Sequence, residues 1–248
     1  MGSDRAVWMV GGIVALLAGP AFAHRPTFGD PHPSPQTPFV VTDPAISIVV
    51  YQTISCESEQ LWLRLEGKAG EEIYLQLGVP QIDRLAGARP AIALFAPGFP
   101  SVDLPFAAPM NLGGQVWYGD DLEEPATFYE PFTQTSSWVW AEQRVTLPED
   151  GVAYIAAWNP DRITGKLWVA VGEVEDFAGV GVEEFVSWDR DVNNFHETGE
   201  YEEPPTAPER SCVVEEAPVE EPSGGCDTSG GARAWGALAL LAAARRRR

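Results

Sequence analysis

Apolar residues that recur at every second position, in short runs closed by Gly/Pro turns, confine the middle of this 248-residue chain to β-sheet. Residues 46–54 are β-branched and apolar. Leu61, Leu63 and Leu65 alternate with Trp62, Arg64 and Glu66, and Ile73, Leu75 and Leu77 alternate with Tyr74 and Gln76. Lys68-Ala69-Gly70-Glu71 reads as the tight turn between these last two runs. Further strands are predicted over residues 91–95 and 115–118, as a pair at 137–140 and 144–147, and over 152–158 and 166–171, with turns at 148–151 and 159–161. Strands at this spacing without intervening helices specify an antiparallel sandwich or jelly roll. A helical period over Val182, Phe185, Val186 and residues 189–192 adds one helix after the last strand. Nine tryptophans and 22 prolines agree with a rigid, loop-rich β fold.

Both ends of the chain read differently from its middle. Arg5, an apolar run over residues 7–18, and Ala21-Phe22-Ala23 form a secretory signal peptide with cleavage after Ala23, which makes His24 the expected mature N-terminus. The apolar run is shorter than the ~20 residues of a membrane-spanning helix. Six prolines between Pro26 and Pro44 forbid a central strand and allow only an extended arm. From residue 197 to 222 the chain is rich in Glu and Pro with almost no large apolar residue, the composition of an extended stalk. At the C-terminus, Gly224-Gly225-Cys226 is followed by a small polar spacer, an apolar stretch over 234–244, and four arginines, Arg245 to Arg248. A short apolar segment stopped by a basic cluster holds a chain in a membrane with its end in the cytoplasm.

These last residues resemble the MYXO-CTERM sorting tail of myxobacteria, a Gly-Cys motif, a transmembrane segment and an Arg cluster in that order. The resemblance implies cleavage near Cys226, lipid modification there, display on the cell surface or outer membrane, and a sorting protease and envelope lipid as partners. It also bears on the three cysteines. With Cys226 used for sorting, Cys56 is left to pair with Cys212, closing a loop of about 155 residues. Within the middle of the chain, residues 145–160 and 165–172 look like the second half of a pre-peptidase C-terminal (PPC-like) β-sandwich, and residues 65–75 are similar to that family's first hairpin. The long insertion from residue 100 to 135 departs from the family pattern. What the resemblance implies is a non-catalytic accessory or surface module.

The expected organisation is therefore a signal peptide (1–23), a Pro-rich arm (24–45), an all-β antiparallel sandwich or jelly roll with one C-terminal helix (46–196), an acidic stalk (197–225) and a sorting helix or tail (226–248). The full chain carries −20; the leader sums to zero and residues 227–248 to +4, so the mature chain carries −24. So acidic a surface repels phosphates and anionic lipid heads, which excludes nucleic acid as a partner class and leaves cations, glycans or a protein ligand.

Hydrolytic chemistry needs a nucleophile, a base and an orienting acid, or a metal with several ligands. The chain has three histidines, His24, His32 and His196, and neither Gly-x-Ser-x-Gly nor His-Glu-x-x-His. No catalytic residue and no cofactor is assigned, and the expected function is a non-enzymatic binding or structural module of the cell surface. The alternative is a secreted copper-dependent oxidoreductase or copper carrier, in which the His24 amine and ring bind copper with His32 or His196 as the second imidazole. Asp120 and Asp121 are the weaker metal candidates, as hard oxygen ligands for calcium. Trp117, Tyr118 and Tyr129, in the aromatic insertion, are the candidate ligand surface, because aromatic faces beside carboxylates stack on sugars.

Overall fold

The computed structural model describes residues 24–109, 112–198 and 212. The expected signal peptide, most of the stalk and the sorting tail, including Cys226, lie outside the described residues. Among the described residues no helix is long and apolar enough to cross a membrane.

Among the described residues, eleven strands and one α-helix follow in chain order. They are β1 (Arg25–Thr27), β2 (Phe39–Val40), β3 (Ile48–Ile54), β4 (Gln60–Gly67), β5 (Glu72–Pro80), β6 (Ala91–Ala96), β7 (Gly113–Tyr118), β8 (Ala126–Glu130), β9 (Thr135–Thr146), β10 (Gly151–Trp158), β11 (Gly165–Val171) and α1 (Val182–His196). Six strands form one sheet in the order β1-β3-β11-β5-β9-β8, and five form the second in the order β2-β4-β10-β6-β7. The result is an all-β sandwich with a single C-terminal helix, as the alternation requires. Pairing is antiparallel except at two edges, where β1 runs parallel to β3 and β2 parallel to β4. Both exceptions come from the Pro-rich arm, which supplies short edge strands because proline lacks the N–H a central strand needs.

Side chains from the two inner faces fill the core: Leu61, Leu63 and Leu65 from β4, Ile73, Leu75 and Leu77 from β5, Ile92 and Leu94 from β6, and Val169 and Val171 from β11. Both sheets are also covered outside. Trp62, Phe95, Tyr154 and Trp158 lie on the outer face of the five-stranded sheet beneath Val102, Leu104, Phe106 and Leu112 of the insertion. Val49, Val139, Trp168 and Ala170 lie on the outer face of the six-stranded sheet, against Phe28 of the arm and Phe195 of α1. Double coverage explains why β6 is buried at all six positions rather than alternating.

Residues 135–146 form one strand, not the expected pair. Nothing between Trp140 and Arg144 is a turn former, and a bulge absorbs the apparent break: Leu77 pairs with Ala141 but Gly78 with Val139, leaving Trp140 as the extra residue. Trp138 and Trp140 both pack against the central core. Opposite the bulge, a Cβ at Gly78 would stand 2.1 Å from Cζ2 of Trp168, so the strand carries glycine where the indole crosses it.

Helix α1 begins with Glu183 and Glu184 in its first turn, where acidic side chains favour the N-terminal dipole. The face turned to the protein is Phe185, Trp188, Val192 and Phe195, at helical spacing. Val182 and Val186, which the sequence pattern places with Phe185, face solvent at 80% and 64% exposure. Glu197 ends the helix in the left-handed region (φ 58°), a conformation unfavourable for a residue with a Cβ. Its carboxylate is held by the Arg84 guanidinium and by Lys166 Nζ at 2.7 Å. Burial pushes the Glu197 carboxyl up, but the bonds from Arg84 and Lys166 outweigh it and hold the group below the usual carboxylate range.

The Cys56–Cys212 disulfide is present, with Cα atoms 5.2 Å apart. The Cys212 N–H donates to the Arg162 carbonyl at 2.8 Å, and Arg162 in turn pairs with Glu59 at 2.7 Å. The bridge thus seats residue 212 beside the β10–β11 connection.

Candidate functional site

A cavity of about 130 Å³ opens between the outer face of the six-stranded sheet and helix α1. Its size suits a compact ligand head comparable to a benzene ring, which fills an apolar cavity of ~150 Å³, with the remainder of a larger ligand leaving through the opening. Strand period two aims its walls. Val49 and Tyr51 of β3, Phe128 and Glu130 of β8, and Thr135 and Ser137 of β9 each lie two residues apart on one face. Trp168 of β11 lies beneath the helix, while Phe132, Phe177, Phe185 and Trp188 close the other side. These last rings pack mutually, with Phe185–Trp188, Phe177–Phe185 and Phe132–Phe185 centroids 5.2, 5.8 and 5.9 Å apart.

Two of the three histidines line this one cavity, His24 from the arm and His196 from the last turn of α1. His196 sits in a closed chain of hydrogen bonds. The Trp168 indole N–H donates to Ser137 Oγ at 3.0 Å, the Ser137 hydroxyl donates to His196 Nε2 at 3.1 Å, and His196 Nδ1–H donates to the Val192 carbonyl at 2.9 Å. Since Nδ1 faces a carbonyl it carries the proton, and Nε2 is the acceptor of a neutral ring. Burial lowers the His196 pKa to about 4; the Val192 carbonyl opposes this and the Lys166 charge adds to it. His24 Nδ1 is bonded to Ser47 Oγ, and burial lowers its pKa to about 4 against the attraction of Glu175. Both imidazoles are therefore neutral at pH 7.

Glu130 is the carboxylate among the lining side chains, and one of its oxygens accepts the Phe132 N–H at 3.0 Å. Burial raises its pKa, the Phe132 bond lowers it, and the negative charge of Glu175 raises it further. The buried Tyr51 phenol is likewise pushed up by burial and by the charge of Glu130. The nearby basic groups are matched by carboxylates: Lys166 with Glu197 and Arg25 with Asp176 at 3.5 Å.

The other sequence candidates are scattered. Asp120 and Asp121 lie in a single 3₁₀ turn, Gly119–Asp121, after β7, and among the described residues no group of three His, Cys, Asp or Glu is placed to hold a metal ion. Trp117 and Tyr118 are neighbours on β7 and so point to opposite faces. Trp117 packs against the central core and Tyr118 meets Trp158 edge-on at 6.1 Å. Tyr129, 53% exposed, stands on β8 of the other sheet. The three do not form one surface. His32 is held by its Nδ1 contact to the Thr37 carbonyl at 3.0 Å and is not among the cavity residues. Sequence reasoning missed most of the cavity, from Tyr51 and Ser137 to Trp188. The available signal was the unexplained aromatic density of Phe177, Phe185 and Trp188 around an otherwise polar helix.

No protein-family model matches the sequence, and no curated protein does. Solved structures similar to the chain at a low level include the following three. The pre-peptidase C-terminal domain of a Bacillus anthracis collagenase is 8% identical, with 53% of this chain and 90% of that chain covered and a TM-score of 0.30. MopE, a secreted protein of Methylococcus capsulatus in which an oxidised tryptophan facilitates copper binding, is 12% identical, with 46% and 70% covered and a TM-score of 0.25. CorA, a surface-associated copper-binding protein important in copper acquisition by Methylomicrobium album BG8, is 15% identical, with 61% and 99% covered and a TM-score of 0.31. These likenesses are too weak to assign a shared fold or function.

Proposed function

We propose that this chain is an exported, surface-displayed, non-enzymatic binding module, kept at the envelope by its processed tail, and that the cavity under α1 receives its ligand. The observation that carries the reading is the cavity's construction: aromatic walls from the sheet and helix around a few placed polar groups, the general form of a small-molecule site. A disulfide joining Cys56 to Cys212 supports an oxidising, extracytoplasmic setting. The neutral, internally bonded His196 supports a binding role, since its Nε2 already accepts the Ser137 hydroxyl. Native mass spectrometry with phenol, indole and benzylamine as probes tests the proposal. One equivalent of at least one probe is expected to bind, at least tenfold more weakly to Trp188→Ala. Absence of stoichiometric binding across the panel overturns the cavity as the ligand site.

A second reading, copper binding, is favoured by one observation: His24 and His196 line the same cavity. Two neutral imidazoles, completed by the His24 α-amine once the leader is removed, would offer the nitrogen donors copper prefers. To bind through Nδ1, His24 would exchange its Ser47 partner for the metal, and His196 Nε2 would release Ser137. Metal analysis of the exported protein is the test. Stoichiometric copper lost in both His24→Ala and His196→Ala supports this reading, and protein that takes up no copper at micromolar concentration rejects it.

A further inference from the structure

The cavity under α1 combines aromatic faces, one carboxylate, two neutral imidazoles and no lysine or arginine among its lining residues. We infer that its ligand class is a small organic cation, an alkylated ammonium group held against the rings of Trp168, Trp188 and Phe128 with Glu130 as its counter-charge. The inference rests on the cavity being the ligand site.

Four observations converge on that chemistry. First, aromatic rings present their negative π-faces to a cation, and the effect is strongest where water is excluded. The cavity draws its rings from both the sheet and the helix, so an occupant is enclosed rather than stacked on one side. Second, Glu130 is the ionisable acid of the lining and Tyr51, whose phenol stays protonated, senses its charge. Third, both imidazoles are neutral and present no competing positive charge. The Lys166 ammonium, whose charge reaches His196, is itself engaged by the Phe195 carbonyl at 2.8 Å and by Glu197. Fourth, negative charge that burial and Glu175 disfavour on Glu130 is what a bound cation would relieve. The long-range field points the same way, because a chain of net charge −20 concentrates cations at its surface and repels anions. A hydroxyl or ether on the ligand would meet Thr135, which shares the wall. Size limits the class to compact heads such as trimethylammonium rather than extended polyamines.

Choline and 3,3-dimethylbutan-1-ol have nearly the same shape and differ in charge, so the pair isolates the electrostatic term. Isothermal titration of each into the exported full chain is expected to show choline binding at least tenfold tighter. Glu130→Gln is expected to bring the two within about twofold while leaving the thermal transition in place, and Trp188→Leu to weaken choline more than the alcohol. Equal affinity for the two compounds overturns the cation inference but leaves the cavity as a ligand site. The same holds if neither binds while a neutral probe from the phenol and indole panel does. Failure of every compound overturns both readings.

Discussion

Replacing Cys56 and Cys212 together with serine is expected to lower the unfolding free energy by about 3–5 kcal/mol. The two residues are 156 apart, a long loop whose closure removes much of the freedom of the unfolded chain. In a domain of this size that loss corresponds to a fall in melting temperature on the order of 10 °C. Its origin predicts a second signature. Because the crosslink acts chiefly on the unfolded ensemble, the serine variant exposes more surface on unfolding, and the denaturant m-value should rise. The Arg162–Glu59 pair beside the bridge is too exposed to compensate. Urea unfolding of the oxidised protein and the double variant measures both quantities. Equal midpoints would show that the bridge contributes nothing to the folded unit.

Acid should weaken the attachment of α1 through His196. Its pKa is about 4 in the folded protein and near 6.5 in the unfolded chain, so the unfolded state takes up the proton first. The stability tied to the neutral ring is fully present above pH 6.5 and is lost as the pH falls from 6.5 towards 4. A depression of this size corresponds to about 3 kcal/mol at most. The structural reason is plain. A protonated ring has two donors and no acceptor, so the Ser137 hydroxyl would lose its partner at Nε2 and the Lys166 ammonium would face a second positive charge. His196→Asn keeps a donor for the Val192 carbonyl and does not titrate. Unfolding free energies at pH 7 and pH 4.5 should therefore fall further in the unmodified protein than in this variant, by roughly 2–3 kcal/mol. Parallel losses in both would refute the role assigned to His196.

The strands whose inner faces are buried alternate cleanly, and β3, β4, β5, β10 and β11 lie within a few residues of where the pattern places them. The signal degrades where the environment is less simple. In β9 the bulge at Trp140 resets the alternation, so one strand reads as two. β8 has no continuous inner face to betray it, since it is an edge strand whose residues are mostly exposed. The apolar face of α1 was misassigned by one step because Val182 and Val186 are as apolar as the aromatic residues that do pack. Hydropathy alone does not tell which stripe meets the sheet. Cysteine pairing was accessible because an odd number of thiols, one of them in a sorting-like motif, left a single partnership to draw.

Local chemistry, carried by the sequence itself, determined that residues 46–171 are sheet, that a helix follows, and that the Pro-rich arm can join only at an edge, because steric limits and side-chain period act within a few residues of chain. The cavity was decided by tertiary structure alone. His24 and His196 are 172 positions apart in sequence, and Tyr51, Glu130, Ser137, Trp168 and Trp188 come from separate elements. What brings them to one place is the order of β1-β3-β11-β5-β9-β8 and the return of α1 across its outer face. The proton positions follow from the same assembly, because a histidine's charge depends on the water its neighbours exclude and on the groups they turn towards it.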